Sequence, residues 1–351
     1  MASLAPPGLE TSASTAIVQV AGLTKTFANR RGWQEMLLKP WQRAERTTVL
    51  DHVSFEVHPA EFFGLLGANG AGKTTLFRIL GAQLLPDTGS AVVAGYDVER
   101  DPRAVKSLLT PVVADERSLN WRLTARENLE LFAALYGVER ASVADRVASL
   151  LETVELHETG TKMVGTFSSG MKQRLLIARA LLAQPRVLLL DEPTRSLDPV
   201  SARRFRRFLQ EEIAGRQQCT VLLATHNADE AFELCNRVAV LDRGRLLAVG
   251  RVEDLMDRVR DDHYRITVRE SDVAAVRRAV PAGVTTDLVV LEDRGAPGWT
   301  VLDVSIEGGP DGAAELVARL TRAGVSVAGM EHRPLALADL LERTVRLEAV
   351  Q

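Results

Sequence analysis

The sequence predicts an α/β domain over residues 17–250 followed by a smaller α+β domain over residues 251–351. Short β-rich apolar runs alternate with helical patterns from Ile17 to about Gly250. Two of these runs, VLLLD ending at Asp191 and TVLLAT ending at Thr225, are apolar on both faces, as interior strands of a doubly covered sheet must be. Beyond Gly250 the texture changes to β-α-β-β-α-β. The chain has 351 residues, 46% hydrophobic and 25% charged, enough for about two domains at ~100–200 residues each.

In chain order, residues 1–16 are rich in Ala, Ser and Pro and are expected to be a disordered tail. The strands IVQVAGL, VSFEV and FFGLLG come next, then helices over 73–84, 126–136 and 170–183, the latter two in a helical subdomain at about 116–183. The strand RVLLLD, a helix at 201–214, the strand TVLLAT, a helix at 228–235 and the strand RVAVLD complete the first domain. Between Phe27 and Val49 lies a basic insertion, residues 28–47, in which Trp33, Leu37 and Trp41 have helical spacing interrupted by Pro40. Its composition suits contact with a membrane surface or a permease, while the plainer reading is a solvated surface hairpin or a helix packed on its own domain. The second domain reads as HYRITVRE, a helix capped by Ser271, TDLVVLED, TVLDVSI, a helix at 313–323 and VSVAGMEHR, which is the ferredoxin-like order, and then a helix at 335–345.

Charge and cysteine content narrow the function. A net charge of −3 and a pI near 6.1 give no global basic field, so no nucleic-acid partner is expected. Cys219 and Cys235 belong to no metal-ligand or CxxC pattern and read as structural thiols in a reducing compartment. The N-terminus has no basic region followed by an apolar one, and no apolar run approaches the ~18–20 residues that span a bilayer. A chain neither secreted nor membrane-spanning is expected.

Three segments carry chemistry. Gly67-Ala68-Asn69-Gly70-Ala71-Gly72-Lys73-Thr74 matches GxxxxGK[ST], succeeds the strand FFGLL and runs through Thr75 into a helix. Backbone N–H groups in such a loop wrap the β- and γ-phosphates, Lys73 adds a point charge, and the Thr74 hydroxyl can ligate Mg²⁺. Asp191 and Glu192 end a buried strand, where α/β sheets place their ligands. Asp191 suits Mg²⁺ and Glu192 suits a general base for water. The segment FSSGM, Phe167 to Met171, opens a helix with hydroxyls and free N–H groups, a setting for an anion.

The phosphate loop, FSSGM, LLLDEP, Ser196-Leu197-Asp198 and ATHNADEA occur in the order and spacing of the ATP-binding subunits of ABC transporters, which the chain resembles over about residues 17–250. The resemblance implies a P-loop NTPase fold and ATP with Mg²⁺ as cofactors. It implies that Ser168, Ser169, Gly170 and Met171 stand for the signature that binds the γ-phosphate held by the other subunit. Ser169 and Met171 there replace the usual glycine and glutamine. Ser196, Leu197 and Asp198 resemble the D-loop at the dimer interface, and the same residues also satisfy an N-cap before Pro199. His226 matches the switch histidine, although a lone His at a strand end also serves structure alone. Phe27 stands where an aromatic stacks on adenine, and a plain core Phe fits equally. Asp115 stands where the family has a glutamine reaching Mg²⁺. Glu116 serves instead if the alignment slips by one, and a solvated acidic turn paired with Arg117 is the plain alternative.

The resemblance therefore implies an ATPase that forms a homodimer or heterodimer of nucleotide-binding domains around two MgATP. It would drive a separate integral membrane permease of the ABC-2 type, for export, from the cytoplasmic face of the cell membrane. The rival function is an ABC-type ATPase of translation or DNA repair. Such relatives usually carry two nucleotide domains or a long coiled-coil insertion, and neither is present. A binding module with a vestigial ATP site is opposed by intact Lys73, Asp191 and Glu192.

Overall fold

The computed structural model describes residues 16–28, 46–113, 118–216, 219–259, 262–279, 290–291, 298–306 and 309–332. The tail before Ala16, most of the 28–47 insertion, Asp115, Glu116 and the helix expected at 335–345 lie outside the described residues. Two compact units divide between Val252 and Glu253.

The first unit begins with β1 (Val18–Ala28), β2 (Arg46–Val57), β3 (Phe62–Leu66), α1 (Lys73–Leu80), β4 (Thr88–Val93), β5 (Tyr96–Asp97), α2 (Pro102–Leu108) and β6 (Leu109–Val113). Then come α3 (Ala125–Leu135), α4 (Arg140–Thr153), α5 (Ser169–Leu181), β7 (Val187–Asp191) and α6 (Pro199–Phe208). It closes with β8 (Thr220–Thr225), α7 (Ala228–Leu234), β9 (Arg237–Asp242) and β10 (Arg245–Arg251), and α8 (Val252–Val259) starts at the boundary.

These strands form two sheets where the sequence suggests one α/β pattern. An antiparallel sheet has the order β2-β1-β4-β5. The other has the order β10-β9-β3-β8-β7-β6, parallel from β9 to β6 with β10 antiparallel at one edge. β3 and β8 are buried along their whole length, as their two-sided apolar sequences require. Phe55 of β2 stacks on Phe63 of β3, with centroids 5.4 Å apart and planes 6° off parallel, so one aromatic pair joins the two sheets.

Several boundaries differ from the sequence pattern. The first helix stops at Leu80, not residue 84, and Gly81 comes directly after it. The helix expected at 201–214 begins at Pro199, capped by Asp198, and its regular turns end at Phe208. A π-helical stretch continues over Leu209–Arg216. β4, β5, α2, β6, α4 and β10 have no counterpart in the sequence pattern. Cys219 and Cys235 are both buried and free, and burial pushes the Cys219 thiol up to about 12.

The second unit contains β11 (Asp262–Arg269), α9 (Val273–Ala279), β12 (Val290–Leu291), β13 (Trp299–Ile306), α10 (Gly309–Arg322) and β14 (Val327–His332). Its antiparallel sheet has the order β12-β13-β11-β14. Tyr264, Ile266 and Val268 alternate inward and meet Leu316 and Leu320 of α10 in a separate core. Ser271, expected as a helix cap, instead lies in a 3₁₀ turn, Glu270–Asp272, and its hydroxyl donates to Asp272 Oδ1. Asp272 Oδ2 accepts from the Ser326 N–H at 3.0 Å, which ties this turn to the approach to β14.

The helical layer of the first unit is α3, α4 and the start of α5. Thr124 and Glu127 form a reciprocal capping box at the head of α3. Asn128, fully buried, braces the preceding loop: its Oδ1 accepts from the Asn120 N–H, and its amide donates to the carbonyls of Asn120 and Thr124, each at 2.9 Å. Replacing Asn128 by Ala leaves the Asn120 N–H without its acceptor and takes one donor from each carbonyl, which keep the backbone N–H groups of Leu123 and Asn128, at an expected cost of about 1–3 kcal/mol. The check is the urea midpoint of the variant against the native chain. Asn128→Leu should be no better, because volume is not what is lost.

Candidate active site

The parallel sheet brings three loops to one place. β3, β8 and β7 are neighbours, with Leu66 opposite Thr225 and Asp191 opposite Ala224. Gly67, His226 and Glu192 therefore each stand one residue past the carboxyl end of adjacent strands. The Gly67 N–H donates to Thr225 O at 3.2 Å and the Glu192 N–H to Ala224 O at 2.9 Å, so the ladder extends into the loops themselves.

The phosphate loop needs its glycines. A Cβ on Gly67 would lie 2.3 Å from Leu241 O, and Gly72 sits at φ 109°, closed to L side chains. Gly72 then starts α1, whose first residue, Lys73, is 5% exposed. Its Nζ donates to Gly67 O at 2.6 Å and Ala68 O at 3.0 Å and stands 3.8 Å from Glu192 Oε1. Burial pushes the Lys73 ammonium below its usual pKa, while the Glu192 and Asp191 carboxylates pull it back.

The Thr74 hydroxyl donates to Asp191 Oδ2 at 2.9 Å. Two oxygen donors side by side at a phosphate loop fit a small hard cation such as Mg²⁺, which takes few protein ligands and keeps waters and phosphate oxygens. Glu192 adopts φ 51°, a left-handed backbone uncommon for a residue with a side chain. That turn separates its carboxyl from that of Asp191. Glu192 Oε2 lies 2.7 Å from His226 Nδ1, and among the described residues its buried Oε1 accepts no hydrogen bond.

A cavity of ≈ 690 Å³ is lined by the loop from Asn69 to Thr75, by Asp191 and Glu192, and by Arg195 and Ser196. Val49 also lines it. Neither Arg195 nor Val49 stands out in the sequence, although Arg195 directly precedes Ser196 and carries a permanent charge. Among the described residues, Phe27, Ser168, Ser169, Gly170 and Met171 do not line this cavity. Phe27 is the penultimate residue of β1, is 40% exposed and lies under Lys25 Nζ, 5.6 Å from its ring centroid.

Ser168 caps α5, its Oγ accepting from the Met171 N–H at 3.3 Å. Asp198 caps α6, accepting from the N–H groups of Val200 and Ser201, each at 3.0 Å. Both caps hold helix N-termini beside one another, since a Cβ on Gly170 would meet that of Ser201 at 4.0 Å. The structure thus gathers the phosphate loop, Asp191, Glu192 and Ser196 around that cavity, sets His226 against Glu192 without lining it, and leaves Leu197, Asp198 and the FSSGM segment out of it.

A model of the ABC transporter family matches residues 50–195. The doxorubicin resistance ATP-binding protein DrrA of Mycobacterium tuberculosis is 38% identical over 238 residues, covering 67% of this chain and 70% of DrrA. The Nod factor export ATP-binding protein I of Cupriavidus metallidurans is 38% identical over 210 residues, covering 60% of this chain and 68% of its own. Among solved structures, an ATP-binding cassette captured as a dimer after hydrolysis, with ADP and Pi, superposes with a TM-score of 0.55 at 23% identity. That match covers 67% of this chain and 98% of the other. With the phosphate loop, the acid pair and the histidine at the ends of neighbouring parallel strands, this chain belongs to the ATP-binding proteins of the ABC transporter family and is an ATPase with their P-loop NTPase fold.

Proposed function

We propose that the chain is the motor of an exporter: it pairs with a second nucleotide-binding domain around two MgATP and drives a separate permease of the ABC-2 type. The observation that carries this is the division of the site. The cavity holds phosphate-binding and water-activating groups, while the signature-like segment caps a helix elsewhere on the chain and is free to serve a facing subunit. Export is supported by the functions that the relatives are named for, doxorubicin resistance and Nod factor export. No described helix is long and apolar enough to cross a membrane, which fits a subunit held at the cytoplasmic face through its permease.

In this reading Gly67 to Thr75 hold the phosphates, Lys73 neutralises charge on the transferred group, and Thr74 and Asp191 hold Mg²⁺, with Asp115 as a further oxygen ligand. Mg²⁺ would offset charge on the β- and γ-phosphates. Glu192 accepts a proton from the attacking water through Oε1, which carries no hydrogen bond and lies 3.8 Å from Lys73 Nζ, and His226 holds the other oxygen and meets the γ-phosphate. Ser168 to Met171 contribute a helix N-terminus to the partner's γ-phosphate, and Ser196 to Asp198 line the subunit boundary. Phe27 offers an exposed ring to adenine. The second unit is a ferredoxin-like domain, a reading supported by its strand order β12-β13-β11-β14.

Glu192→Gln should bind ATP as the native chain does, lose turnover by about 100-fold or more, and accumulate as a dimer with ATP in gel filtration. Near-native turnover would remove Glu192 from the role of base. At the acidic turn, Asp115→Ala should lower hydrolysis and its response to Mg²⁺ more than Glu116→Ala does, as read in a Mg²⁺ titration of ATPase rate. A larger effect at Glu116 shifts the alignment by one residue.

Subunit sharing has its own test. Ser168→Arg should block closure sterically while each monomer still binds ATP, and Lys73→Ala should lose ATP binding. Mixed, the two variants form a heterodimer with one site built from two intact halves. Cross-linking with a non-hydrolysable ATP analogue should recover dimers absent from either variant alone. No recovery would assign FSSGM to its own subunit as an ordinary helix cap.

A further inference from the structure

Behind the face that carries Glu192 and His226, a second bridge joins the same two segments. Thr194, two residues past Glu192, donates its hydroxyl to Glu230 Oε1 at 2.6 Å. Glu230 lies in the first turn of α7, whose cap, Asn227, is the residue after His226. The Asn227 side chain accepts from the Glu230 N–H at 3.3 Å, and the Asn227 N–H donates to Thr225 Oγ1 at 3.0 Å. The Thr225 hydroxyl also favours the charged form of the Glu230 carboxyl.

Glu230 is 1% exposed, and among the described residues no Lys or Arg forms an ion pair with it. The nearby Arg206 pairs with Glu233 instead. Burial raises the Glu230 carboxyl above its usual pKa, opposed by the hydroxyls of Thr194 and Thr225. A carboxyl placed inside a protein without a cation partner is costly, and an apolar residue would fill the space at less cost. The geometry identifies what Glu230 does: its carboxyl accepts from the turn after Glu192, and its N–H is held by Asn227, the residue after His226.

We infer that Glu230 is a positioning residue for hydrolysis, a rear clamp that keeps the segment of Glu192 in register with the segment of His226. The inference rests on the roles proposed for those two residues. The front bridge, Glu192 to His226 at 2.7 Å, joins the two side chains at their tips. The rear bridge from Thr194 to Glu230 fixes the distance between the loops that carry them. It touches neither nucleotide nor water, so its loss falls on the chemical step and not on ATP binding.

The test measures MgATP hydrolysis by the full chain for Glu230→Ala, Thr194→Val, the double variant and Glu230→Gln, with nucleotide binding monitored by a fluorescent ATP analogue. Glu230→Ala and Thr194→Val should each lower kcat by about 10-fold or more and leave KM within about twofold. The double variant should be no worse than Glu230→Ala, because both remove one bond. Glu230→Gln, which keeps an acceptor oxygen, should recover kcat to within about threefold of native. Unchanged kcat in Thr194→Val, a parallel rise of KM, additive losses, or a Gln variant as poor as the Ala variant each overturn the clamp. If Glu230→Ala does not fold, Thr194→Val and Glu230→Gln decide it. Glu192→Gln and His226→Ala run in parallel: if both hydrolyse ATP at native rates, the underlying roles fail, whatever Glu230 does.

Discussion

The site depends on the register of three parallel strands. Pairing of β3 with β8 and of β8 with β7 sets Leu66, Thr225 and Asp191 near one level. The residues just beyond them have to emerge together. A slip of one residue in either pairing would turn Glu192 or His226 to the opposite face and separate a 2.7 Å contact. Burial on both faces makes such a slip costly, since every side chain packed on either face of these strands would have to be repacked. The tightest geometry of the site is thus secured by the least polar part of the chain.

The helical layer meets the sheet through α5. Its N-terminus carries Ser168, and its buried residues from Leu175 to Ala180 lie along the core. Ser168 already caps its own helix, so an anion arriving there meets a hydroxyl that the fold has oriented.

Much of this is legible in the sequence, for physical reasons. The phosphate loop, the Asp191-Glu192 pair and the helix opening at Ser168 are local patterns whose backbone demands are met by neighbouring residues. Other features depend on partners far along the chain. β6 contains Pro111, which argues against an interior strand, and the structure places it at the sheet edge, where a missing N–H does least harm. The β4–β5 hairpin turns on Ala94 and Gly95, both at positive φ, and only the glycine announces that turn in the sequence. That the first strands form their own antiparallel sheet comes from pairings such as Val18 with Val93, which no local pattern encodes. Glu230 reads in the sequence like any acid in the first turn of a helix. Only its burial and the hydroxyl of Thr194, 36 residues away in sequence, set it apart.

Cys219 and Cys235 together make a hidden reporter. Each is buried, and burial holds each sulfur in the protonated, unreactive form. Cys219 lines a cavity with Leu150 and Gln184 and reports access to it, whereas Cys235 packs against β3 at Gly64, so the rate at which Cys235 is alkylated counts openings of the nucleotide-binding core. The chain carries a built-in clock for its own breathing, readable by mass without any added label on the native fold.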